Sequence, residues 1–195
     1  MRKINLTKKL ILAIRNVDIG QIKELLASGA DPNTVVRVKD ELNFCGFKHL
    51  RPLTEAVLMP PFLETGTINP NSKEVMTLLL EAGADLNSKT RLEEHDAAVH
   101  IVADCGCTDI LNLMLQHNLD VNLPNFNGST PLHCACMRNQ IETVKILIGA
   151  GANINAKDDD GLMPIASSRK EVKELLLRAG ATYQEMPPPA PNPFL

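Results

Sequence analysis

Four of the five cysteines stand in two Cys-x-Cys pairs, Cys105 with Cys107 and Cys134 with Cys136, and His133 directly precedes the second pair. Thiols and an imidazole could hold zinc, or act as a nucleophile and its base. Structural zinc sites use cysteines on either side of a turn. Helical side chains two positions apart point about 200° apart, at ~100° per residue. Cys134 and Cys136 on a helix therefore cannot easily share one metal ion.

Cys105 and Cys107 flank Gly106, where a turn is predicted. Helix geometry therefore excludes a shared metal ion less strictly for this pair. An odd number of cysteines without the spacing of a disulfide scaffold indicates reduced thiols, as in the cytosol. We expect no metal and no cofactor. An enzyme that uses His133, Cys105 and Cys107 stays an alternative, and unchanged function after their replacement would exclude it.

Other catalytic motifs are missing from the sequence. It contains no phosphate-binding loop, no G-x-S-x-G and no metalloprotease helix. Asp158-Asp159-Asp160-Gly161 superficially resembles a calcium loop. Arg169 would then occupy the position of the required final carboxylate, so we interpret the run as a loop tip.

The segment that carries His133 has the pattern of two short helices. Pro131 is suited to a first helical turn, because its missing N–H goes unused there. Two apolar stripes with helical spacing follow, and Gly149 and Gly151 end the second one. Two such helices leave an apolar face uncovered, so the segment needs similar neighbours to form a core.

The neighbours are present as a repeat of 33 residues. Asp158-x-x-Gly161 repeats Asn125-x-x-Gly128 (161 − 128 = 33), and Gly83-Ala84-Asp85-Leu86-Asn87 returns as Gly151-Ala152-Asn153-Ile154-Asn155. The pattern resembles the ankyrin repeat, whose T-P-L-H-x-A signature matches Thr130 to Ala135. The resemblance implies an all-α solenoid of about five helix-turn-helix repeats with β-hairpin loops.

The expected domain covers residues 1–184, with repeats at about 4–33, 48–87, 92–122, 125–157 and 158–183. A Pro-rich tail, 185–195, follows. It contains one P-x-x-P, and we favour a disordered end over an SH3 ligand. The first inter-repeat loop, 34–51, is 10 residues longer than its counterpart and predicts a β-hairpin finger. Phe44 and Phe47 in it either fold down as a plug, which we favour, or face a partner. The insertion 57–72 is either merely tolerated or a functional loop.

The charge composition bears on which kinds of partner the chain could bind. The net charge of −3 gives no general attraction to nucleic acid or membranes. The charge is asymmetric: residues 1–51 carry 10 Lys and Arg and 5 Asp and Glu (+5), and the remainder carries 10 and 18 (−8). The apolar run Leu10 to Ile14 is too short for a signal peptide or a membrane span. We expect a cytoplasmic monomer.

Resemblance also assigns roles to individual residues. In the family, the histidine of T-P-L-H bonds to the threonine hydroxyl, so His133 with Thr130, and His100 at its counterpart, are expected to be structural. Protein partners lie in a concave groove lined by hairpin tips and first helices. Transferred by position, the protein-binding residues are Val36, Arg37, Lys39, His49 and Arg51 in the finger, Glu93, Glu94, Asp96 and Asp104 in the third repeat, Phe126, Asn127, Ser129, Met137 and Arg138 in the fourth, and Asp159, Asp160 and Leu162 in the fifth.

The favoured function is thus non-catalytic binding of a protein partner. Two alternatives come from the same resemblance. A short, irregular array without an enzyme domain is similar to host-targeting effectors of intracellular pathogens, which bind host proteins in the host cytoplasm. Asn122 and Asn155 stand where family members can be substrates of an asparaginyl hydroxylase.

Overall fold

The computed structural model of the chain describes residues 2–37, 49–59, 68–88 and 97–182. The chain alternates between helices of an inner and an outer row. Their bounds are α1 Arg2–Arg15, α2 Ile19–Ala27, α3 Pro52–Val57, α4 Ser72–Glu81, α5 Ala98–Cys105, α6 Thr108–Leu115, α7 Pro131–Met137, α8 Ile141–Gly149, the 3-10 helix η1 Pro164–Ser167, and α9 Lys170–Arg178. The strands are β1 Val36–Arg37 and β2 His49–Leu50.

The helices stack in two layers. The first helices form one row in which α1 contacts α3, α3 contacts α5, α5 contacts α7, and α7 contacts η1. The second helices form the other row, from α2 through α4, α6 and α8 to α9. Each repeat contacts its neighbours in the chain, which is the arrangement of a solenoid. The predicted all-α solenoid is confirmed.

One apolar core runs between the two layers from the first repeat to the last. Leu10, Leu79, Leu111, Leu132 and Leu147 are each 0% exposed, and every repeat contributes at least one such side chain. Burial of a leucine side chain stabilises the fold by about 1.5–3 kcal/mol. The core therefore supplies the cohesion that one pair of short helices lacks.

Local sequence explains where the helices start and stop. Pro52 and Pro131 are the first residues of α3 and α7. After α8, Gly151 adopts φ 90, a left-handed conformation that costs glycine little. Asn118 takes the glycine position in the third repeat with φ 56, as expected from the tolerance of asparagine for this region.

Four hairpin asparagines link each repeat to the next. The amide oxygens of Asn33, Asn87, Asn122 and Asn155 accept from the backbone N–H groups of Asp85, Asp120, Asn153 and Thr182 at 2.7, 2.7, 2.7 and 2.9 Å. Their amide nitrogens donate to the carbonyls of Gly83, Asn118, Gly151 and Gly180. We call these contacts the asparagine ladder. Each of these asparagine contacts joins one repeat to the repeat that follows it.

The predicted finger at 34–51 is present at its base. β1 and β2 pair antiparallel, with Val36 opposite Leu50 and Arg37 opposite His49. β1 also contacts α1, and both Val36 and Ile11 are 1% exposed. The finger tip with Phe44 and Phe47, much of the 57–72 insertion, and the tail 185–195 lie outside the described residues.

The turn between the helices of the first repeat holds Val17 in an unfavourable conformation. Val17 has φ 57, while its counterpart in the fourth repeat, Asn139, has φ 58. A β-branched residue in the left-handed region is strained, whereas asparagine tolerates it. Val17 is half-buried against the edge of the core, so its packing offsets the strain only in part.

We therefore expect Val17→Asn to raise the free energy of unfolding by about 1 kcal/mol. Urea unfolding followed by circular dichroism measures the change. The reciprocal substitution Asn139→Val should lower stability by a similar amount. A destabilised Val17→Asn variant would show that packing of the valine outweighs its backbone strain.

Candidate functional site

His133 is fixed by contacts on both ring nitrogens. Its Nδ1 accepts from the backbone N–H of Thr130 at 3.0 Å, and the Thr130 hydroxyl lies 2.9 Å from the same atom. The Nε2–H therefore donates to the Leu162 carbonyl of the next repeat, at 3.1 Å. This geometry makes His133 a helix cap and an inter-repeat bridge.

His100 makes the same bridge one repeat earlier. Its Nε2 lies 2.9 Å from the Leu123 carbonyl, and the side chain is 0% exposed. The helix α5 still begins at Ala98, although Ala97 has replaced the capping threonine. The missing Thr and Pro thus leave the helix start of the third repeat in place.

The titration of His133 gives a pH dependence of stability. Burial lowers the pKa of His133, partly offset by the Leu162 carbonyl and the nearby Asp158 carboxylate. The folded state then binds fewer protons than the unfolded state, whose histidine titrates near pH 6.5. The stability that depends on neutral His133 is complete above about pH 6.5 and is lost as the pH falls below it.

We expect the loss of stability between pH 7.5 and pH 5.5 to be smaller in His133→Gln than in the native chain. Glutamine at this position can keep the capping contact with Thr130 and does not titrate. Urea unfolding at several pH values measures the difference between the two slopes. Identical slopes would show that other groups carry the pH dependence.

Three of the described cysteines, Cys105, Cys107 and Cys136, lie where burial makes a thiol a weak nucleophile. Cys105, Cys107, Cys134 and Cys136 are free thiols. Burial, with the neighbouring Cys107, raises the pKa of Cys105 to about 11, and burial raises the pKa of Cys136 to about 12. Only a thiolate attacks or binds a metal efficiently, and Cys105 and Cys136 stay protonated at neutral pH. Within the described ranges, no group of three or more metal-ligating side chains comes together.

Several of the predicted partner-binding residues are exposed in the fourth and fifth repeats. Phe126 and Met137 are each 53% exposed, and Arg138 is largely exposed too. Asn127, Asp159 and Asp160 are exposed, whereas Ser129, Leu162, Asp104 and Arg51 are partly covered. Leu12, 41% exposed on α1, is a further surface apolar side chain that sequence reasoning did not select.

The hairpin tips of the fourth and fifth repeats are held against each other. The backbone N–H of Asp159 donates to the Asn127 carbonyl at 2.9 Å. A Cβ on Gly128 (φ 74) would lie 2.6 Å from the Asp159 carboxylate, so glycine is required for this approach. The Asn125 side chain accepts from the N–H groups of Asn127 and Ser129, which fixes the tip beside Phe126. Phe126 is therefore presented on a rigid turn.

Arg138 and Asp104, which were predicted as separate contacts with a partner, form an ion pair with each other. Arg138 Nε lies 2.8 Å from Asp104 Oδ1, across the third and fourth repeats. The Gln140 side chain donates to the Asp104 carbonyl at 2.9 Å, beside Gly106. The Asp104 carboxylate raises the pKa of Arg138. An exposed pair of this kind contributes about 0–1 kcal/mol, so a partner could replace it at low cost.

One predicted contact residue needs correction. Val36 is 1% exposed, because β1 lies against α1 and directs this side chain inward, so it is a packing residue rather than a contact. For Arg37 and His49 the structure describes the strand backbone alone. Lys39, Glu93, Glu94 and Asp96 lie outside the described residues.

A buried ion pair connects the first two repeats. Arg15 Nε lies 2.6 Å from Glu55 Oε2, with side chains 19% and 5% exposed. The two residues are 40 positions apart in the sequence. Neither stands in a recognisable motif, and no signal in the sequence pointed to the pair. Among the described helices, none has the length and apolar character needed to cross a bilayer.

Comparison with known proteins gives consistent matches. A family model of ankyrin repeats, in three copies, matches residues 66–158. The chain is 38% identical over 114 residues to alpha-latrocrustotoxin-Lt1a of Latrodectus tredecimguttatus, covering 58% of this chain and 8% of the toxin. It is 29% identical over 128 residues to the B-cell lymphoma 3 protein homolog of Mus musculus, covering 64% of this chain and 28% of that protein.

A third relative is the nuclear factor NF-kappa-B p105 subunit of Rattus norvegicus, 27% identical over 152 residues, which are 75% of this chain and 14% of the relative. The chain spans less than a third of the length of each of these proteins. The similarity therefore concerns the repeats and not the activities of the whole relatives.

Proposed function

Because this chain belongs to the ankyrin-repeat family, we propose that it binds a protein partner, without catalysis, through its hairpin fingers and the exposed faces of its first helices. The observation that carries the proposal is the exposure of Phe126 and Met137, each 53%, in the fourth repeat. Large exposed apolar side chains on a rigid support are common anchors of protein interfaces. Two observations favour a binding role over a catalytic one. The pKa of the Cys105 thiol is raised, and both ring nitrogens of His133 are engaged in hydrogen bonds.

Charge and rigidity support the same role. Arg138 and the carboxylates Asp159 and Asp160 flank the apolar anchors along the chain and could orient a partner with complementary charge. The asparagine ladder and the paired hairpin tips hold the surface in one conformation, which limits the entropy lost on binding. We propose that the protein acts as a cytoplasmic monomer.

The test is a double substitution on the proposed surface. We expect Phe126→Ser with Arg138→Ala to weaken partner binding at least about tenfold, because aromatic and arginine anchors dominate interface energies. Affinity capture from a eukaryotic cell lysate identifies the partner, and calorimetry with the purified partner measures the affinity. Circular dichroism and melting should change little, because Phe126 is exposed and the Arg138–Asp104 pair contributes little.

A matched control lies on α8, in the row of second helices. Ile141→Ser with Lys145→Ala also removes one exposed apolar side chain and one cation, and should leave the affinity unchanged. Equal affinity of the native chain and the Phe126/Arg138 variant would contradict the proposed surface.

A role as a host-directed effector would use the same surface, with a host protein as partner. Secretion of the chain from a bacterium into a host cell would distinguish it from a resident scaffold. Modification by an asparaginyl hydroxylase at Asn122 or Asn155 is a further proposal that intact-mass measurement tests. The side-chain amides of both asparagines hydrogen-bond to the following repeat. Binding of the enzyme to either asparagine would therefore compete with these hydrogen bonds.

A further inference from the structure

The hairpin tip of the fourth repeat carries an Asn-Gly dipeptide, Asn127-Gly128, and the sequence contains no other. Asparagine is a chemically labile residue. Its side-chain amide can be attacked by the backbone nitrogen of the next residue, and glycine hinders that attack least because it has no side chain. Every other asparagine in the sequence is followed by a residue with a side chain. The sequence therefore singles out one amide of the chain for this reaction.

The structure leaves the Asn127 amide exposed and able to rotate. Within the described residues the Asn127 side chain makes no hydrogen bond. The ladder residues Asn122 and Asn155, by contrast, are held on both amide atoms by the following repeat. Asn125 is held within the tip, because its amide oxygen accepts from the N–H groups of Asn127 and Ser129. Of these amides, that of Asn127 alone can turn toward its own backbone without breaking a contact.

The attacking nitrogen is only loosely held. The N–H of Gly128 donates to the Asn125 carbonyl at 3.2 Å, which is longer than the usual ~2.9–3.0 Å of such a bond. The corresponding bond in the fifth repeat, from the N–H of Gly161 to the Asp158 carbonyl, is 2.9 Å long. The Gly128 nitrogen is therefore released from its turn more easily than its counterpart in the fifth repeat.

We propose that Asn127 is a site of spontaneous deamidation, and that its isoaspartate product separates the hairpin tips of the fourth and fifth repeats. In the first step the backbone nitrogen of Gly128 bonds to Cγ of Asn127 and closes a succinimide ring. The Cγ–Nδ2 bond breaks, and Nδ2 leaves as ammonia with the proton of the Gly128 N–H. Water then opens the ring at one of its two carbonyl carbons. One opening gives aspartate, and the other gives isoaspartate, whose main chain runs through Cγ and is longer by one methylene.

The aspartate product fits the existing turn. Asp160 occupies the equivalent position in the fifth repeat (160 − 127 = 33). Its N–H donates to the Asp158 side chain at 3.1 Å, as the N–H of Asn127 donates to the Asn125 side chain at 3.0 Å. An aspartate at position 127 can therefore keep the same turn.

The isoaspartate product does not fit. The Asn127 carbonyl accepts from the N–H of Asp159 at 2.9 Å, and a longer main chain displaces that carbonyl. The tip has no room to absorb the displacement, since even a Cβ on Gly128 would lie 2.6 Å from the Asp159 carboxylate. Phe126, the residue before the modified position, then loses the rigid turn that presents it.

The experiment follows the full chain during incubation at mildly alkaline pH and physiological temperature, and it needs no partner. Peptide mapping by mass spectrometry measures the fraction of each asparagine that has lost its amide. We expect conversion at Asn127 to be at least about tenfold faster than at Asn122, Asn125 or Asn155. Methylation by a protein isoaspartate methyltransferase detects the isoaspartate product separately.

The chain offers two matched controls for the chemistry. Asn127→Gln keeps an amide at the tip, but attack on it must close a larger ring, so this variant should stay unmodified. Asp160-Gly161 has the same place in the next repeat. An ionised carboxylate is a poor electrophile, so isoaspartate should form more slowly at Asp160 than at Asn127.

Hydrogen exchange tests the effect on the hairpin tips. The isoaspartate form, separated from the aspartate form by chromatography, should lose the protection of the Asp159 amide, because that N–H donates to the Asn127 carbonyl. Asn127→Asp carries the same added charge on a main chain of normal length, and should keep the protection. Circular dichroism should show that both forms retain their helices.

Two results would overturn the proposal. One is conversion at Asn127 that is no faster than at Asn122 and Asn155, and the other is an Asp159 amide that stays protected in the isoaspartate form. Either result would leave the proposed function intact if the Phe126/Arg138 variant still loses its partner. Conversely, deamidation at Asn127 with an unchanged partner affinity in that variant would keep the modification site and remove the proposed surface.

Discussion

Replacing Glu55 by alanine is expected to lower the free energy of unfolding by about 3–5 kcal/mol. The carboxylate is 5% exposed and lies 2.6 Å from Arg15 Nε. Its removal leaves a largely buried guanidinium without its counter-charge, between the first and second repeats. Urea unfolding followed by circular dichroism measures the loss.

The double variant Arg15→Met with Glu55→Leu distinguishes this explanation from simple loss of packing. Replacement of both charges by apolar side chains of similar volume removes the unpaired charge, so most of the stability should return. Glu74→Ala is the matched control. Glu74 makes an exposed pair with Lys23 at 3.5 Å, and its loss should cost less than about 1 kcal/mol. A double variant as unstable as Glu55→Ala would refute the electrostatic account.

Replacing His133 by alanine is expected to cost about 3 kcal/mol. The estimate combines a lost helix cap, about 1 kcal/mol, a lost bridge to Leu162, about 1 kcal/mol, and a cavity in the place of the ring. The same unfolding measurement applies, and His117→Ala, at an exposed position, should be nearly neutral.

The loss should be localised at one interface. Because His133 joins the fourth repeat to the fifth, amide exchange should increase first in α9 and η1 and remain slow in α4 and α6. Uniform acceleration across all repeats would show that the array unfolds as one cooperative unit.

Sequence predicted the repeats because their signals are local. The prolines that start α3 and α7 and the asparagine at position 118 act on the backbone next to them. The 33-residue period shows that such local signals return along the chain. The same period could have placed Asp104 near Arg138, which is 34 positions later, at an equivalent height in the next repeat. A charge pair one period apart is therefore a usable signal in such arrays.

Other features depend on tertiary contacts that no local pattern encodes. Strand alternation alone does not decide which face of β1 is buried, and the contact of β1 with α1 decides that Val36 points inward. The Arg15–Glu55 pair joins two repeats whose spacing is altered by the long finger between them. The proposed partner-binding surface thus follows from the resemblance, while the exposure of individual residues on it follows only from the structure.

The direction of the asparagine ladder has a consequence for synthesis on the ribosome. Each asparagine is synthesised before the backbone groups to which it hydrogen-bonds. Its contact with the next repeat therefore cannot form until that repeat has emerged from the ribosome. Three of the four asparagines wait 25 to 31 residues for their carbonyl partner, whereas Asn33 waits 50 residues for Gly83. The long finger and the insertion in the second repeat account for that delay. During synthesis the first repeat therefore waits longest for the asparagine contact that joins it to its neighbour.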